Sequence, residues 1–341
     1  MDSYFIFHQN RIVSIMAENR KKTVSLVLGS GGARGLAHIG VIHWLEEHGY
    51  DIRSVSGCSM GALVGGIYAA GKLDEYTSWV RTVTRRDILS LIDLAWGGGG
   101  LVKGDRIIHT MIDLVGAITI KELPIAYTAV AVDLKNEKEV WIQSGPLFDA
   151  IRASISLPLF FTPFRFKGVP LIDGGVLNPV PIAPTFGDGT DMTIAVNLDG
   201  PSKKETAPAK PMPESESASP FAETISRLVK RFRKSEEPDE PDDEEDWGMF
   251  DVASMAFDAM QGTIARLKLA AYPPTCVVEI PKNACGLLEF DRAAEMIDLG
   301  YRSAQDRLSC LFDPDDTEDR QPAGSIEKVQ SPADKKENHD E

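Results

Sequence analysis

A serine in the setting of a hydrolytic nucleophile lies near the start of the chain. Residues 57–61 read GCSMG, which fits the pattern G-x-S-x-G around Ser59. The apolar stretch 52–56 predicts a short strand before it, and 60–70 predicts a helix after it. A nucleophile elbow requires this strand–turn–helix context, because the sharp turn lifts the hydroxyl out of the sheet. The pattern therefore predicts that Ser59 attacks a carbonyl carbon.

The neighbours of Ser59 fit supporting roles in the same turn. Gly57 and Gly61 are small enough for a sharp turn, and the Met60 amide begins a helix whose N-terminus faces developing negative charge. Cys58 is a rival nucleophile, but side chains alternate in direction through the turn and the serine stands at its apex. A tight turn with an incidental serine is the alternative without chemistry.

A glycine-rich loop precedes this elbow. Residues 29–35 read GSGGARG and lie between a predicted strand, 23–28, and a predicted helix, 35–48. The loop is not a phosphate-binding P-loop, since no GK[ST] follows its glycines. It is not a dinucleotide fingerprint either, because Arg34 stands where the third glycine of G-x-G-x-x-G would fall.

The adjacent glycines suit an oxyanion hole. The backbone N–H groups of Gly31 and Gly32 can converge on one oxygen and stabilise the charge of an acyl-transfer intermediate. Ser30, Arg34 and Gly35 are predicted to support the loop. Arg34 has two interpretations, since it could hold the loop through carbonyls or a carboxylate, or bind an anionic head group. A glycine turn needed only for close packing is the alternative to the whole assignment.

The histidines offer no obvious base for Ser59. In the usual chain order of an α/β-hydrolase, the histidine follows both the serine and the acid. Three histidines fall in the predicted helix after the glycine loop and are explained as ordinary helix residues: His38, His43 and His48. His109 follows Ser59, but only His339 also follows Asp173, and it lies in a polar tail.

Asp173 offers a different solution. Residues 169–175 read VPLIDGG, an apolar strand that ends in Asp-Gly-Gly. Beside Gly174 and Gly175, the carboxylate can approach the Ser59 hydroxyl and act as general base in a Ser–Asp dyad. A carboxylate is a weak base at its ordinary pKa, so the dyad requires burial to raise the pKa of Asp173. A simple Asp-Gly turn is the alternative.

The three blocks GSGGARG, GCSMG and DGG resemble the patatin-like phospholipases, in particular bacterial cytoplasmic members related to the catalytic domain of neuropathy target esterase. The stretches LAHIGVIHWLEEHG, RASISLPLFF and DGGVLNPVPI fit the same resemblance, which covers 24–200 and, more loosely, 252–312. It implies an α/β fold, a three-layer α/β/α sandwich with a mainly parallel central sheet. It also implies hydrolysis of lipid acyl esters through an acyl-enzyme, without a metal or other cofactor.

The resemblance carries over to individual residues. The family's catalytic serine matches Ser59, and the aspartate of its DG[GA] motif matches Asp173. Its oxyanion glycines match Gly31 and Gly32. Ser30 departs from the family pattern, in which glycine is usual at this position, and a serine there adds strain if its φ is positive.

The wider pattern predicts an α/β domain interrupted by a polar insertion. Further strands are predicted at 125–132, 138–142, 169–172 and 192–198, and further helices at 73–84, 104–114, 252–270 and 291–311. Composition divides the chain into a flexible N-terminus at 1–22, a catalytic domain at 23–200, an acidic, proline-rich disordered insertion at 201–250, a helical part packed on the catalytic domain at 251–312, and a disordered tail at 313–341.

Charge and cysteine content narrow the setting. Of the 341 residues, 36 are Lys or Arg and 51 are Asp or Glu, so the net charge of −15 argues against nucleic acid as a partner. The four cysteines show no CxxC pair or zinc-ligand spacing, and we expect reduced thiols in a cytoplasmic protein. No apolar run approaches the ~20 residues of a membrane-spanning helix. The first residues lack the features of a signal peptide.

One segment of the insertion suggests contact with a membrane. Residues 221–234 read FAETISRLVKRFRK, which combines an apolar stripe at helical spacing with a basic face. Peripheral docking to the inner membrane is one interpretation, and packing on the catalytic domain or a disordered linker are the others. The glycine run at 97–100 is either part of a lid near the site or a plain linker.

The expected function is a lipid acyl hydrolase, a carboxylic ester hydrolase for phospholipids or lysophospholipids. An esterase or thioesterase for smaller acyl groups would differ in pocket size, which the sequence does not reveal. An acyltransferase is a further alternative, because an alcohol other than water can intercept an acyl-enzyme. The last alternative is a catalytically silent, membrane-associated regulatory protein, against which the intact Ser59, Asp173 and glycine loop argue.

Overall fold

A computed structural model describes residues 21–93, 102–202 and 249–309. The strands are β1 (Thr23–Leu28), β2 (Asp51–Cys58), β3 (Ala126–Asp133), β4 (Lys138–Ile142), β5 (Phe164–Phe166), β6 (Val169–Asp173), β7 (Met192–Gly200) and β8 (Cys276–Pro281). The helices are α1 (Ala37–Glu47), α2 (Met60–Ala69), α3 (Leu73–Val80), α4 (Arg85–Ser90), α5 (Asp105–Val115), α6 (Leu147–Ser154), α7 (Met249–Ala271) and α8 (Ala293–Leu308). The predictions for the N-terminus, the glycine run at 97–100, the basic segment 221–234, and the tail with His339 lie outside the described residues.

The strands form one mixed and mainly parallel sheet. Its order is β5-β6-β3-β2-β1-β7-β8, and β4 also pairs with β3. The parallel pairs are those of β3 with β2, β2 with β1, β1 with β7, and β7 with β8. The antiparallel pairs are those of β3 with β4, β3 with β6, and β5 with β6. The predicted α/β class with a mainly parallel central sheet is confirmed.

Helices cover both faces of this sheet. Leu26 and Leu28 of β1 belong to the larger hydrophobic core, which also contains residues of α1, α2, α6 and α8. Val27 belongs to a smaller cluster that includes Ala265 of α7. Because side chains alternate between the faces of a strand, the two clusters lie on opposite sides of the sheet. The result is the three-layer α/β/α sandwich that the resemblance implies.

Two glycines bring the backbones of α1 and α8 into direct contact. A Cβ at Gly40 would lie 1.9 Å from the carbonyl oxygen of Ile297, and a Cβ at Gly300 would lie 1.9 Å from that of Ala37. Side chains at these positions would force the helices apart. The last described helix is therefore held closely against the first, within the main core.

The elements differ from the sequence prediction in two respects. The predicted helix 73–84 ends already at Val80, and a separate, unpredicted helix, α4, follows. Thr84 caps α4 with a capping box, in which its hydroxyl accepts the Asp87 amide and the Asp87 carboxylate accepts the Thr84 amide. Helix α6 and the strands β5 and β8 are absent from the prediction. β5 has only three residues, and β8 is a short apolar run whose parallel partner β7 lies far away in sequence. Such runs carry little periodic signal.

Candidate active site

Ser59 stands in a strained turn between β2 and α2. Its φ is 53° and its ψ is −125°, a region that costs a residue with a side chain about 1–3 kcal/mol. A Cβ at Gly57 would lie 2.4 Å from the backbone of Gly61, and a Cβ at Gly61 would lie 2.0 Å from the Leu28 carbonyl oxygen. Both outer glycines of G-x-S-x-G are therefore required by backbone contacts around the serine.

The pairing of β3 explains why Ser59 and Asp173 are neighbours. Residues 129–130 of β3 pair with both β2 and β4, and residues 131–133 pair with both β4 and β6, so β2 and β6 share one edge of β3. Cys58, which ends β2, pairs with Val130, and Asp173, which ends β6, pairs with Ala131. The two strands run toward each other and end at consecutive residues of β3, which brings Ser59 to the carboxylate.

The Asp173 side chain is completely buried. Its Oδ1 accepts the Gly175 amide at 2.7 Å, whereas its Oδ2 has no hydrogen bond of standard geometry to any described residue. Burial raises the pKa of Asp173 from 3.8 to about 6, and the nearby Ser59 hydroxyl and the Gly175 amide oppose this rise. The carboxylate thus combines proximity to Ser59 with a basicity suited to neutral pH.

The glycine loop has backbone amides available beside Ser59. Several of its amides are engaged by backbone carbonyls: those of Gly29, Ser30 and Ala33. In contrast, the predicted oxyanion donors donate to no other group in the described part of the chain: Gly31, Gly32 and Met60. These three residues line the same cavity as Ser59. The arrangement supplies N–H groups that can bind a negatively charged oxygen.

Close packing explains the glycines that flank these groups. A Cβ at Gly35 would lie 2.3 Å from the Cβ of Met60. A Cβ at Gly174 would lie 2.1 Å from the Val130 carbonyl oxygen, and a Cβ at Gly175 would lie 2.7 Å from the Ser30 hydroxyl. Side chains at these glycines would displace the elbow, the β3 edge or the oxyanion loop.

Ser30 fits its loop without backbone strain. The non-glycine residues of positive φ in the described chain are Ser59, Glu137, Leu159 and Lys167. The strain considered for a serine at position 30 therefore does not arise. Its hydroxyl accepts a hydrogen bond from Gln261 of α7 at 3.5 Å, and both residues line the cavity.

Arg34 and His38 hold the glycine loop from behind. Arg34 donates through Nε to the Gly31 carbonyl at 3.2 Å and through a terminal nitrogen to the Lys282 carbonyl at 2.8 Å. These contacts favour the loop-holding interpretation of Arg34. His38 is fully buried and donates through Nε2 to the Gly29 carbonyl at 2.9 Å. Burial lowers its pKa to about 4, so it is neutral. The sequence interpretation missed this role for His38.

Among the described residues, no histidine side chain hydrogen-bonds to Ser59 or Asp173. His43 lies on α1, His48 directly follows its end, and His109 is exposed on α5. No described histidine hydrogen-bonds to the Ser59 or Asp173 side chain. The Ser–Asp arrangement is therefore the one that the geometry supports.

The turn that ends α6 contacts both Ser59 and Asp173. The Ser154 hydroxyl accepts the Ser59 amide at 3.0 Å and donates to the Val130 carbonyl at 2.6 Å. The Ser156 carbonyl accepts the Asp173 amide at 3.0 Å. Sequence reasoning did not assign these serines, although they lie in the stretch RASISLPLFF that carried part of the resemblance.

Arg152 holds the same turn against the cavity wall. The side chain is buried, and one terminal nitrogen donates to the Ser156 hydroxyl at 2.7 Å. The other donates to the Thr162 carbonyl at 3.1 Å and to the Lys103 carbonyl. The guanidinium also lies 5.2 Å from the ring centre of Phe161. Residues 152–162 are therefore tied together behind the site.

An apolar cavity of about 290 Å³ opens from Ser59. Its walls include apolar side chains from α2, α3, α5 and the loop after α6: Leu63, Trp79, Val80, Met111, Phe160 and Phe161. Arg85, Glu289 and Asp291 are its charged lining residues, and Arg85 donates to Asp291 at 2.8 Å. A cavity of this size and composition suits an apolar chain whose reactive end lies at Ser59.

The described residues provide neither a metal site nor a membrane-spanning helix. Within these ranges, no three His, Cys, Asp or Glu side chains cluster as ligands of a metal ion. None of the helices found there is long and apolar enough to cross a bilayer. Cys58 and Cys285 are buried thiols.

Known proteins are similar to this chain over the region that contains this site. A family model described as "Patatin-like phospholipase" matches residues 26–186, a range that includes the glycine loop, Ser59 and Asp173. An uncharacterized NTE family protein of Mycobacterium tuberculosis is 39% identical over 337 residues, covering 86% of this chain and 93% of that protein. Lysophospholipase NTE1 of Scheffersomyces stipitis is 30% identical over 199 residues, covering 56% of this chain and 13% of that protein. Among solved structures, VipD from Legionella pneumophila is similar with a TM-score of 0.39 and 13% identity, over 84% of this chain and 66% of that chain.

Proposed function

This chain belongs to the NTE family of patatin-like phospholipases, and from that premise we propose that it cleaves acyl esters of phospholipids or lysophospholipids through a Ser59–Asp173 dyad. The observation that carries the proposal is the strained Ser59 beside the buried Asp173 at an apolar cavity. A tight turn with an incidental serine would not need a buried carboxylate beside it, and a simple Asp-Gly turn would not need a strained serine.

The acylation step uses groups already in contact. Asp173 takes the proton of the Ser59 hydroxyl while the oxygen attacks the ester carbonyl carbon. The amides of Gly31, Gly32 and Met60 stabilise the oxyanion of the tetrahedral intermediate. When the intermediate collapses, Asp173 returns the proton to the leaving alcohol, and the acyl group remains on Ser59.

Deacylation repeats the same proton transfers with water. Asp173 removes a proton from water as the water oxygen attacks the acyl carbon, and the same amides bind the second oxyanion. Collapse of this intermediate releases the fatty acid and returns the proton to the Ser59 oxygen. The Asp173 carboxylate therefore acts in both halves of the reaction.

The cavity favours a lipid substrate over the alternatives. A small-acyl esterase or thioesterase has no use for apolar walls drawn from several helices, whereas a fatty acyl chain would bury against them. An acyltransferase would use the same acyl-enzyme but transfer it to another alcohol. A silent regulatory protein would not need the base, the free amides and the strained serine together.

Hydrolysis of p-nitrophenyl esters from acetate to palmitate, followed by assay on phospholipid and lysophospholipid vesicles, tests this function. We expect kcat/KM to rise with acyl length until the cavity is filled, and free fatty acid to appear from the vesicles. Fastest turnover on acetate would favour a small-acyl esterase. No turnover on any of these substrates would overturn the proposal.

A change at the cavity wall is expected to alter the preferred chain length. Met111 on α5 is buried and lines the cavity, so Met111→Trp should fill part of it and shift the optimum toward shorter p-nitrophenyl esters. Turnover of the shortest ester should persist, because Ser59 is unchanged.

His109→Trp provides the control for this substitution, since His109 is exposed on the same helix and does not line the cavity. The ratio of rates on long and short esters is the measurement. Equal chain-length profiles for wild type and Met111→Trp would show that the acyl chain does not use this wall.

The pH dependence of hydrolysis should follow the Asp173 carboxylate. The base must be ionised to accept the serine proton, and burial raises its pKa to about 6. We expect kcat/KM to fall tenfold per pH unit below about 6 and to level off above it. An acid limb near the ordinary carboxylate pKa, in a protein that remains folded there, would contradict the assignment.

The setting of the enzyme belongs to the same proposal. We propose a cytoplasmic protein, which the thiols of Cys58 and Cys285 support. The catalytic domain is taken as 23–200 together with 251–312, because β8 extends the sheet beside β7 and α8 packs on α1. Peripheral membrane contact through 221–234 remains a prediction on residues outside those described.

A further inference from the structure

We infer that Ser154 is a positioning residue that holds Ser59 in its reactive conformation. The inference rests on the proposed function of Ser59. Ser154 is fully buried at the end of α6. Its hydroxyl accepts the Ser59 amide at 3.0 Å and donates to the Val130 carbonyl at 2.6 Å. Through these two bonds, the Ser154 hydroxyl connects the elbow to strand β3.

The elbow needs such a connection because the sheet ends there. The last β2–β3 pair is Cys58 with Val130, and Ser59 then leaves the strand with a φ of 53°. The Ser154 hydroxyl lies between the Ser59 amide and the Val130 carbonyl and pairs with both. Strained backbone persists where surrounding contacts over-determine it, and this bond is a contact made to Ser59 itself.

The same turn fixes the other reactive residue independently. The Ser156 carbonyl accepts the Asp173 amide at 3.0 Å. Arg152, buried beneath, binds the Ser156 hydroxyl at 2.7 Å. Residues 154–156 thus contact the backbones of both Ser59 and Asp173. Removing the Ser154 hydroxyl releases only the serine side of the pair, so the serine would lose its alignment with the carboxylate.

Ser154→Ala is expected to lower kcat on the order of 10-fold to 10²-fold, because a misplacement of a reacting group by about 1 Å has an effect of this size. KM should change little, because Ser154 does not line the cavity. The acid limb of the pH profile should also move to higher pH. In wild type the Ser59 hydroxyl lowers the pKa of Asp173, and a displaced Ser59 would no longer do so. Steady-state kinetics across pH measures all three.

Ser56→Ala is a matched control. Ser56 is equally buried, on β2, and its hydroxyl donates to the Pro181 carbonyl at 2.8 Å without touching Ser59. We expect a comparable drop in Tm with near wild-type kcat and an unchanged acid limb. A loss of kcat in Ser56→Ala equal to that in Ser154→Ala, at equal Tm, would mean that any buried hydroxyl serves, and would overturn the inference.

A second pair of variants isolates the effect of the hydroxyl from that of side-chain volume. Threonine and valine have the same shape, so Ser154→Thr retains the hydroxyl that Ser154→Val lacks. We expect greater kcat and faster labelling of Ser59 by a fluorophosphonate in the threonine variant. Equal rates in the two variants would overturn the positioning role. Absence of labelling and turnover in wild type would instead refute the proposed hydrolase.

Discussion

Replacing Ser59 with alanine is expected to reduce ester hydrolysis by at least about 10⁴-fold while leaving the fold intact. The alanine removes the attacking oxygen, and neither the cavity nor the oxyanion amides can replace it. The measurement is turnover of the best p-nitrophenyl ester, together with circular dichroism and Tm. Cys58→Ala should stay active, because Cys58 is buried, burial raises the pKa of its thiol, and its sulfur donates to the Pro179 carbonyl at 3.2 Å.

Residual activity in Ser59→Ala that disappears in the double variant with Cys58→Ala would transfer the nucleophile to the cysteine. A further comparison isolates the strain of the elbow. Ser59→Gly should be as inactive as Ser59→Ala but melt at a higher temperature, because glycine adopts a φ of 53° without a side-chain clash. An equal or lower Tm for the glycine variant would indicate that the turn stores little strain.

Asp173→Asn is expected to lower kcat/KM by about 10²- to 10⁴-fold. The amide oxygen of asparagine can still accept the Gly175 N–H, so the loop geometry is retained, but the side chain cannot take a proton from Ser59. Kinetics at pH 8, where the wild-type carboxylate is ionised, provides the comparison. Asp149→Asn is the control, since Asp149 is a half-buried carboxylate of α6 whose pKa is also raised by burial. Substantial activity in a folded Asp173→Asn variant would refute the dyad.

The same substitution is expected to stabilise the folded protein at neutral pH. Burial raises the pKa of Asp173 from 3.8 to about 6, so the folded state binds this proton more tightly than the unfolded state does. At about 1.4 kcal/mol per pKa unit, ionising Asp173 within the fold costs about 3 kcal/mol. Below pH 4, Asp173 is protonated in both states of wild type and this cost is absent. As the pH rises through about 6, the carboxyl ionises in the folded protein and the stability of wild type falls by this amount. The asparagine variant does not titrate there.

Urea denaturation of both proteins at several pH values measures this effect. The difference in the free energy of unfolding should grow in favour of Asp173→Asn between about pH 4 and 6, and then remain constant. Parallel pH curves for the two proteins would mean that the carboxylate is not destabilised in the fold, and that its basicity has another origin.

The proposed nucleophile and base could be recognised in the sequence because their signals are local. A serine between a strand and a helix, flanked by Gly57 and Gly61, and an aspartate at the end of an apolar strand can be recognised within a few residues of sequence. The sequence could not predict that β2 and β6 end side by side on β3, because this follows from pairings between distant strands. The resemblance supplied that connection in place of a physical argument.

The supporting contacts escaped prediction for the same reason. Ser154 and His38 have no local sequence feature that marks them. Ser154 acts through a hydrogen bond to Ser59, which is distant in sequence, and His38 acts through a hydrogen bond to Gly29 in the loop that precedes its helix. The cavity is likewise a product of several helices that meet over Ser59. The stretch RASISLPLFF, as part of the family resemblance, was the one indication that residues near 154 have a role besides packing.

The backbone contact between α1 and α8 also has a consequence for the nascent chain. Ser59 and Asp173 leave the ribosome well before Gly300, the residue that lets α8 seat on α1 beside Gly40. The core side of α1 lacks its partner until α8 has been synthesised, and the edge of β7 lacks its partner until β8 has been synthesised. Phe257 and Leu287, which line the cavity, are likewise synthesised only after Asp173. The proposed site is therefore assembled only after the residues up to α8 have been synthesised.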